Sequence, residues 1–122
     1  MKLTLLSIDS REGLISLACE GSVTSADFSP DGKNPMESII GPLWSRNKIL
    51  LDFSRTSYID SSAIGWLINT HKEFKKNGGA IVVHTIPPKV EQVLNLLKIG
   101  KVVPLAKDAE TGKTLLNGGA QG

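Results

Sequence analysis

Asp60, Ser61 and Ser62 stand directly before the apolar stretch "AIGWL", and two histidines, His71 and His84, follow downstream. An acid, a hydroxyl and an imidazole are the residue types of a nucleophilic triad. The spacing opposes that use. His71 lies about two and a half turns along the helix that Ser62 would open, at ~1.5 Å rise per residue, so its ring cannot reach back to the hydroxyl. It also falls on the apolar stripe, three residues after Ile68 and three before Phe74, and reads as a core-edge histidine. His84 sits near the end of an apolar strand, but the G-x-S-x-G elbow of a hydrolase is missing. No catalytic residue is expected. A small serine hydrolase built on Ser62 is the enzymatic alternative.

The same tripeptide suits a helix start, because Ser and Asp oxygens satisfy the free N–H groups of a first turn. One cap residue is enough for that task. With Ser61 as the N-cap, Ser62 becomes the first helical position, its hydroxyl facing solvent with no backbone duty. A phosphate there would meet the positive end of the helix dipole. It would add roughly −1.5 to −2 charge beside Asp60. Folding would change little, since a dipole gain of about 0.3–1 kcal/mol is opposed by repulsion from Asp60. Docking of an acidic or apolar partner would suffer far more. On the residues alone, both the cap and the modification site stay open.

Other motifs carry less. In "ETGKTL" a phosphate loop would need glycine where Lys107 stands, and a buried strand feeding the loop. "DFSPDGKN" lacks the ligand register of a calcium loop. Cys19 is the only cysteine, which excludes an intramolecular disulfide and a cysteine-rich metal site; neither metal nor cofactor is expected. The formal charge of +2 is too weak to indicate nucleic-acid binding, and Lys72, Lys75 and Lys76 suit the last turn of a helix. "MKLTLLSID" is too short an apolar patch for a signal peptide or a membrane span, so no membrane insertion and a cytoplasmic location are expected.

The elements that must position the tripeptide follow from patterning. In 122 residues, 40% hydrophobic and 21% charged, one domain fits, with residues 1–116 as its body and 117–122 as a loose tail. Leu3 to Ile8 and Leu14 to Cys19, separated by "DSREG", read as a β-hairpin. Regular structure is not expected through most of Gly21 to Asn34. Asn34 then caps a short helix with Pro35 at its first position, stopped by Gly41-Pro42. "KILLDF" and "AIVVHT" suit central strands buried on both faces. Between them Ile64, Leu67, Ile68 and Phe74 mark a helix ended by Asn77-Gly78-Gly79, so the two strands lie parallel with a right-handed crossover. Pro87-Pro88 opens another helix, with Val90, Val93, Leu94 and Leu97 as its stripe and Gly100 as its end. "KVVPLA" fits an edge strand, and Asp108 caps a last helical turn or two through Leu116. The fold class is α/β, a mixed four- to five-stranded sheet with helices mainly on one face.

Residues 49 to 88, "ILLDFSRTSYIDSSAIGWLINTHKEFKKNGGAIVVHTIPP", resemble the STAS domain of bacterial anti-sigma factor antagonists: an apolar strand ending in an acid, a loop, D-S-S and a small residue opening a helix, then a Gly-Gly turn into an apolar strand. The likeness continues more loosely through "VEQVLNLLKIGKVVPL" and includes the opening hairpin. It implies that Ser62 is the phosphoacceptor of a binding switch. The unmodified protein would hold an anti-sigma factor that is also a serine kinase, phosphorylation would break the complex, and a serine phosphatase would restore it. Asp27, Asp60, Ser61, Ser62, Ala63 and Trp66 are then the expected partner-binding residues. The chain departs from the family in the longer "SVTSADFSPDGKNP" loop, expected near Ser62, and in Ala63 where glycine is common. Trp66 could serve as an exposed anchor or pack in the core. A stressosome-type scaffold subunit and a lipid-transport accessory subunit are further uses of resembling domains, and the oligomeric state is left open.

Overall fold

In the computed structural model, residues 1–117 are described. The chain opens with an antiparallel hairpin, β1 (Lys2–Asp9) and β2 (Leu14–Val23), turned by Asp9, whose Oδ1 accepts from the N–H groups of Arg11 and Glu12. β3 (Lys48–Ile59), β4 (Ala80–His84) and β5 (Leu105–Ala106) add in chain order, each parallel to its predecessor. Each parallel step needs a crossover, and α1 (Pro35–Ile40), α2 (Ser61–Asn77) and α3 (Pro88–Leu96) supply them. α4 (Ala109–Asn117) follows β5, with the Thr111 N–H bonded to Asp108 Oδ1 at 2.8 Å. This is the expected α/β architecture with five strands.

Alternation along the central strands divides the core between the two faces. Ile15, Leu17, Ile49, Leu51, Phe53, Ile81 and Val83 point to the face covered by Met36 of α1, Leu67 and Phe74 of α2, and Val90 and Leu94 of α3. Leu14, Leu50 and Val82 point the other way, where Leu116 of α4 covers them. The run "ILL" lacks alternation because both its faces are dry.

Three expectations need correction. β3 does not end near Phe53 but continues to Ile59, because β2 also runs on to Val23 and pairs it: Glu20 with Arg55, Gly21 with Thr56, Ser22 with Tyr58, Val23 with Ile59. Irregularities in that ladder set the buried residues Phe53, Thr56 and Ile59 three apart, which masks a period of two. The Thr56 hydroxyl is satisfied by the Cys19 carbonyl at 2.7 Å. α3 stops at Leu96 rather than running to Gly100; Lys98 is left-handed, φ 55°, and the chain re-enters a short 3-10 turn at Ile99–Lys101, leaving Leu97 exposed. The N-cap of α2 is Asp60, not Ser61. Of the expected tail 117–122, Asn117 ends α4 and the remainder lies outside the described residues.

Candidate functional site

Asp60 closes β3 and opens α2, and all of its polar backbone and side-chain groups are engaged at that junction. Its Oδ1 accepts from the Ala63 N–H at 3.1 Å, its carbonyl from the Ile64 N–H at 3.2 Å, and its Oδ2 from the Ser25 N–H at 3.3 Å. Its own N–H donates to the Val23 carbonyl at 3.2 Å. A carboxylate is preferred over serine here because it has two oxygens, one for the helix end and one for the turn after β2.

The cap one residue earlier moves both serines inside the first turn. Ser61 is the first helical position, exposed, and Ser62 the second, half-buried. Among the described residues the Ser62 hydroxyl has no hydrogen-bond partner, and no bond joins it to His71 or His84. His84 Nδ1 lies 2.8 Å from Thr85 Oγ1, and burial depresses its pKa against the opposing pull of Asp52 and Asp108. His71 has a buried Nδ1 without a partner, and desolvation, aided by Lys75, lowers its pKa. These are core-side histidines placed away from the serines by the helix and the sheet.

Ser62 lines a shallow groove of about 290 Å³ whose other wall is the long loop, through Phe28, Ser29, Lys33 and Asn34. Lys33 is the one charged side chain in that lining. Asn34 holds the wall in place. Its Oδ1 accepts from the Met36 N–H at 2.9 Å, capping α1, and from Trp66 Nε1 at 3.1 Å; its Nδ2 donates to Thr70 Oγ1 at 2.9 Å. Phe28 packs on Trp66 with ring centroids 5.7 Å apart. Trp66 is 7% exposed, so of its two readings the structure gives packing: the indole anchors the loop on α2. Ala63 is buried as well, where a larger side chain would press into the core. Asp27 sits at the base of the loop, its carboxylate taken by the Met1 amino group at 2.6 Å and the Thr24 N–H at 2.8 Å. These contacts hold its pKa below the usual aspartate value despite the opposing effect of burial.

Sequence reasoning missed Phe28, Lys33 and the inner role of Asn34. An aromatic residue inside an otherwise polar loop was the available sign for Phe28. Nothing in the spacing of Asn34 and Trp66 announces their bond.

The described residues contain no group of three or more His, Cys, Asp or Glu able to hold a metal ion. Among them, no helix is long and apolar enough to cross a membrane. Solved structures share the fold. A putative anti-sigma factor antagonist from Thermotoga maritima is 18% identical, with 93% of each chain covered and a TM-score of 0.71. The anti-sigma factor antagonist SpoIIAA in its unphosphorylated form is 16% identical over 96% of this chain and 97% of that one, with a TM-score of 0.68. The Bacillus cell fate determinant SpoIIAA in its phosphorylated form is 16% identical over 93% of this chain and 99% of that one, with a TM-score of 0.58. The family model of the STAS domain matches residues 10–112, from the hairpin turn into the first turn of α4, and the chain therefore belongs to the STAS domain family.

Proposed function

We propose that this protein is an anti-sigma factor antagonist of the cytoplasm, a phosphorylation-controlled binding switch without catalytic activity of its own. With Ser62 unmodified it holds a cognate anti-sigma factor that is also a serine kinase; phosphorylation of Ser62 releases the partner, and a serine phosphatase resets the cycle. The observation that carries this reading is the division of labour between Asp60 and Ser62. Asp60 takes the capping bonds of α2, so the hydroxyl two residues on is left without a structural task. Modifying it adds charge at the groove while the helix end stays satisfied.

The partner surface centres on Ser62, which lines the groove, and on the exposed Ser61 beside it. Asp60, Ala63 and Trp66 act beneath it by holding α2 and the long loop, and Asp27 steadies the loop's base. A phosphate of roughly −1.5 to −2 charge at this groove, whose lining offers only Lys33 as a countercharge, must be desolvated when the partner presses against it.

Incubation with ATP and the candidate kinase, read by intact mass and site mapping, tests the proposal. One phosphate on Ser62 is expected, with loss of the complex. Ser62→Ala should stay unmodified and bound, and Ser62→Asp should bind at least about a hundredfold more weakly, some 2.7 kcal/mol. Phosphate on another residue, or full binding by Ser62→Asp, would end the proposal.

A further inference from the structure

The two edges of the sheet differ. β5 is two residues long, whereas β1 runs for eight with no neighbour on its outer side among the described residues. Its middle is apolar and open: Leu5, Leu6 and Ile8 are 44%, 55% and 63% exposed. Natural sheets blunt such an edge with proline, with charges in its middle, with a β-bulge, or with a covering element. Here the charges stand only at the ends, Lys2 and Asp9, one irregularity interrupts the strand between Leu5 and Ser7, and the groove beside α1 is lined from β1 by Leu3 alone.

The segment "KLTLLSID" is self-complementary when reversed. Laid antiparallel against a second copy, Lys2 meets Asp9, Leu3 meets Ile8, Thr4 meets Ser7, and Leu5 meets Leu6: an ion pair, an apolar pair, a hydroxyl pair and a second apolar pair, repeated on both sides of a two-fold axis. Facing side chains must share a face of the sheet. In a regular strand Leu3 and Ile8 would point to opposite faces. The irregularity between Leu5 and Ser7 corrects this: Leu3 pairs with Cys19 and Ile8 with Ile15, both of which point to the helix-covered face. Likewise Lys2 pairs with Glu20 and Asp9 with Leu14 on the opposite face.

We infer that β1 is the contact edge of a homodimer in which two copies pair β1 to β1, antiparallel, extending the five-stranded sheets into one of ten. The occupant is a second copy because charge, hydroxyl and apolar positions all match under a single two-fold operation. An unrelated strand would have to reproduce that order independently. The dimer stands apart from the Ser62 switch, since Ser62 lies on α2 and not on this edge.

Sedimentation equilibrium on the full chain from about 1 µM to about 1 mM, with circular dichroism to check the fold, tests it. The wild type should form a reversible dimer. Leu6→Lys, which sets two ammonium groups side by side at the two-fold, and Lys2→Glu, which faces Asp9 of the second copy, should each weaken it at least about tenfold. Leu96→Lys, at an 80% exposed leucine on α3, should leave it unchanged. Mixed Thr4→Cys and Ser7→Cys chains should form a disulfide-linked dimer under mild oxidation, and neither variant alone should do so as readily. A wild type that stays monomeric, a dimer indifferent to both edge variants, or one dissolved by Leu96→Lys overturns the inference. If Leu6→Lys loses its fold, Lys2→Glu and the cysteine pair still decide.

Discussion

Trp66 Nε1 donates to Asn34 Oδ1 at 3.1 Å, so an indole on α2 is tied to the residue that caps α1. One amide thereby couples two helices and fixes the loop between β2 and α1 against the turn that carries Ser62. Asn34→Ala removes the cap and leaves the indole N–H and the Thr70 hydroxyl without their partner. A loss of about 2–4 kcal/mol in urea unfolding is expected, more than a cap alone contributes. Asn34→Asp keeps the acceptor and should lose less.

The three residues of the tripeptide should separate cleanly in stability. Asp60→Ala removes the acceptor for both Ala63 and Ser25 and should cost about 1–2 kcal/mol. Ser61→Ala and Ser62→Ala should each stay within about 0.5 kcal/mol of wild type in the same denaturation experiment. A large loss in Ser62→Ala would mean that the hydroxyl has structural work after all.

Gly79 is required by close approach. A Cβ there would collide with the backbone carbonyls of Ser45 and Asn47 and with the Phe74 ring, all at the turn from α2 into β4. Gly79→Ala should therefore cost more than about 2 kcal/mol, measured by thermal or chemical unfolding. Gly78→Ala, at φ 85° with open space around it, should cost only about 1 kcal/mol from backbone strain.

Stability should fall on mild acidification. His71 and His84 are both held below the ordinary histidine pKa of 6.5, chiefly by desolvation, so the unfolded chain binds protons that the folded chain refuses. Their contribution is complete above pH 6.5 and is lost as the pH drops through the depressed folded values. Urea midpoints taken across pH 7.5 to 5 should decline, and His84→Gln together with His71→Gln should flatten that slope.

Cys19 should be silent to thiol reagents in the native protein. It is wholly buried, and burial raises its pKa despite the Thr56 hydroxyl beside it. Labelling with an aromatic disulfide reagent should follow unfolding, with fast reaction only in denaturant.

Most of the scaffold was legible along the chain, because each element carries its own local reason. The continuous apolar runs of β3 and β4, the Asn34-Pro35 start and the Gly78-Gly79 stop depend on neighbours in sequence and were read without a partner surface. The D-S-S stretch was likewise legible as a helix opening. The choice of cap within it was not, because Ser61 and Asp60 are equally competent until Ser25 comes within reach from thirty-five residues away. For the same reason β3 read as ending too early: its last residues are strand only because β2 lies beside them. Trp66 could have faced outward or inward, and Asn34 and Phe28, remote in sequence, settled it inward. Residue types and local spacing determined the bodies of the helices and strands and left a hydroxyl to spare in the D-S-S stretch. The groove beside that hydroxyl was decided by tertiary structure alone, since it exists only where a loop from one crossover packs on a helix from the next.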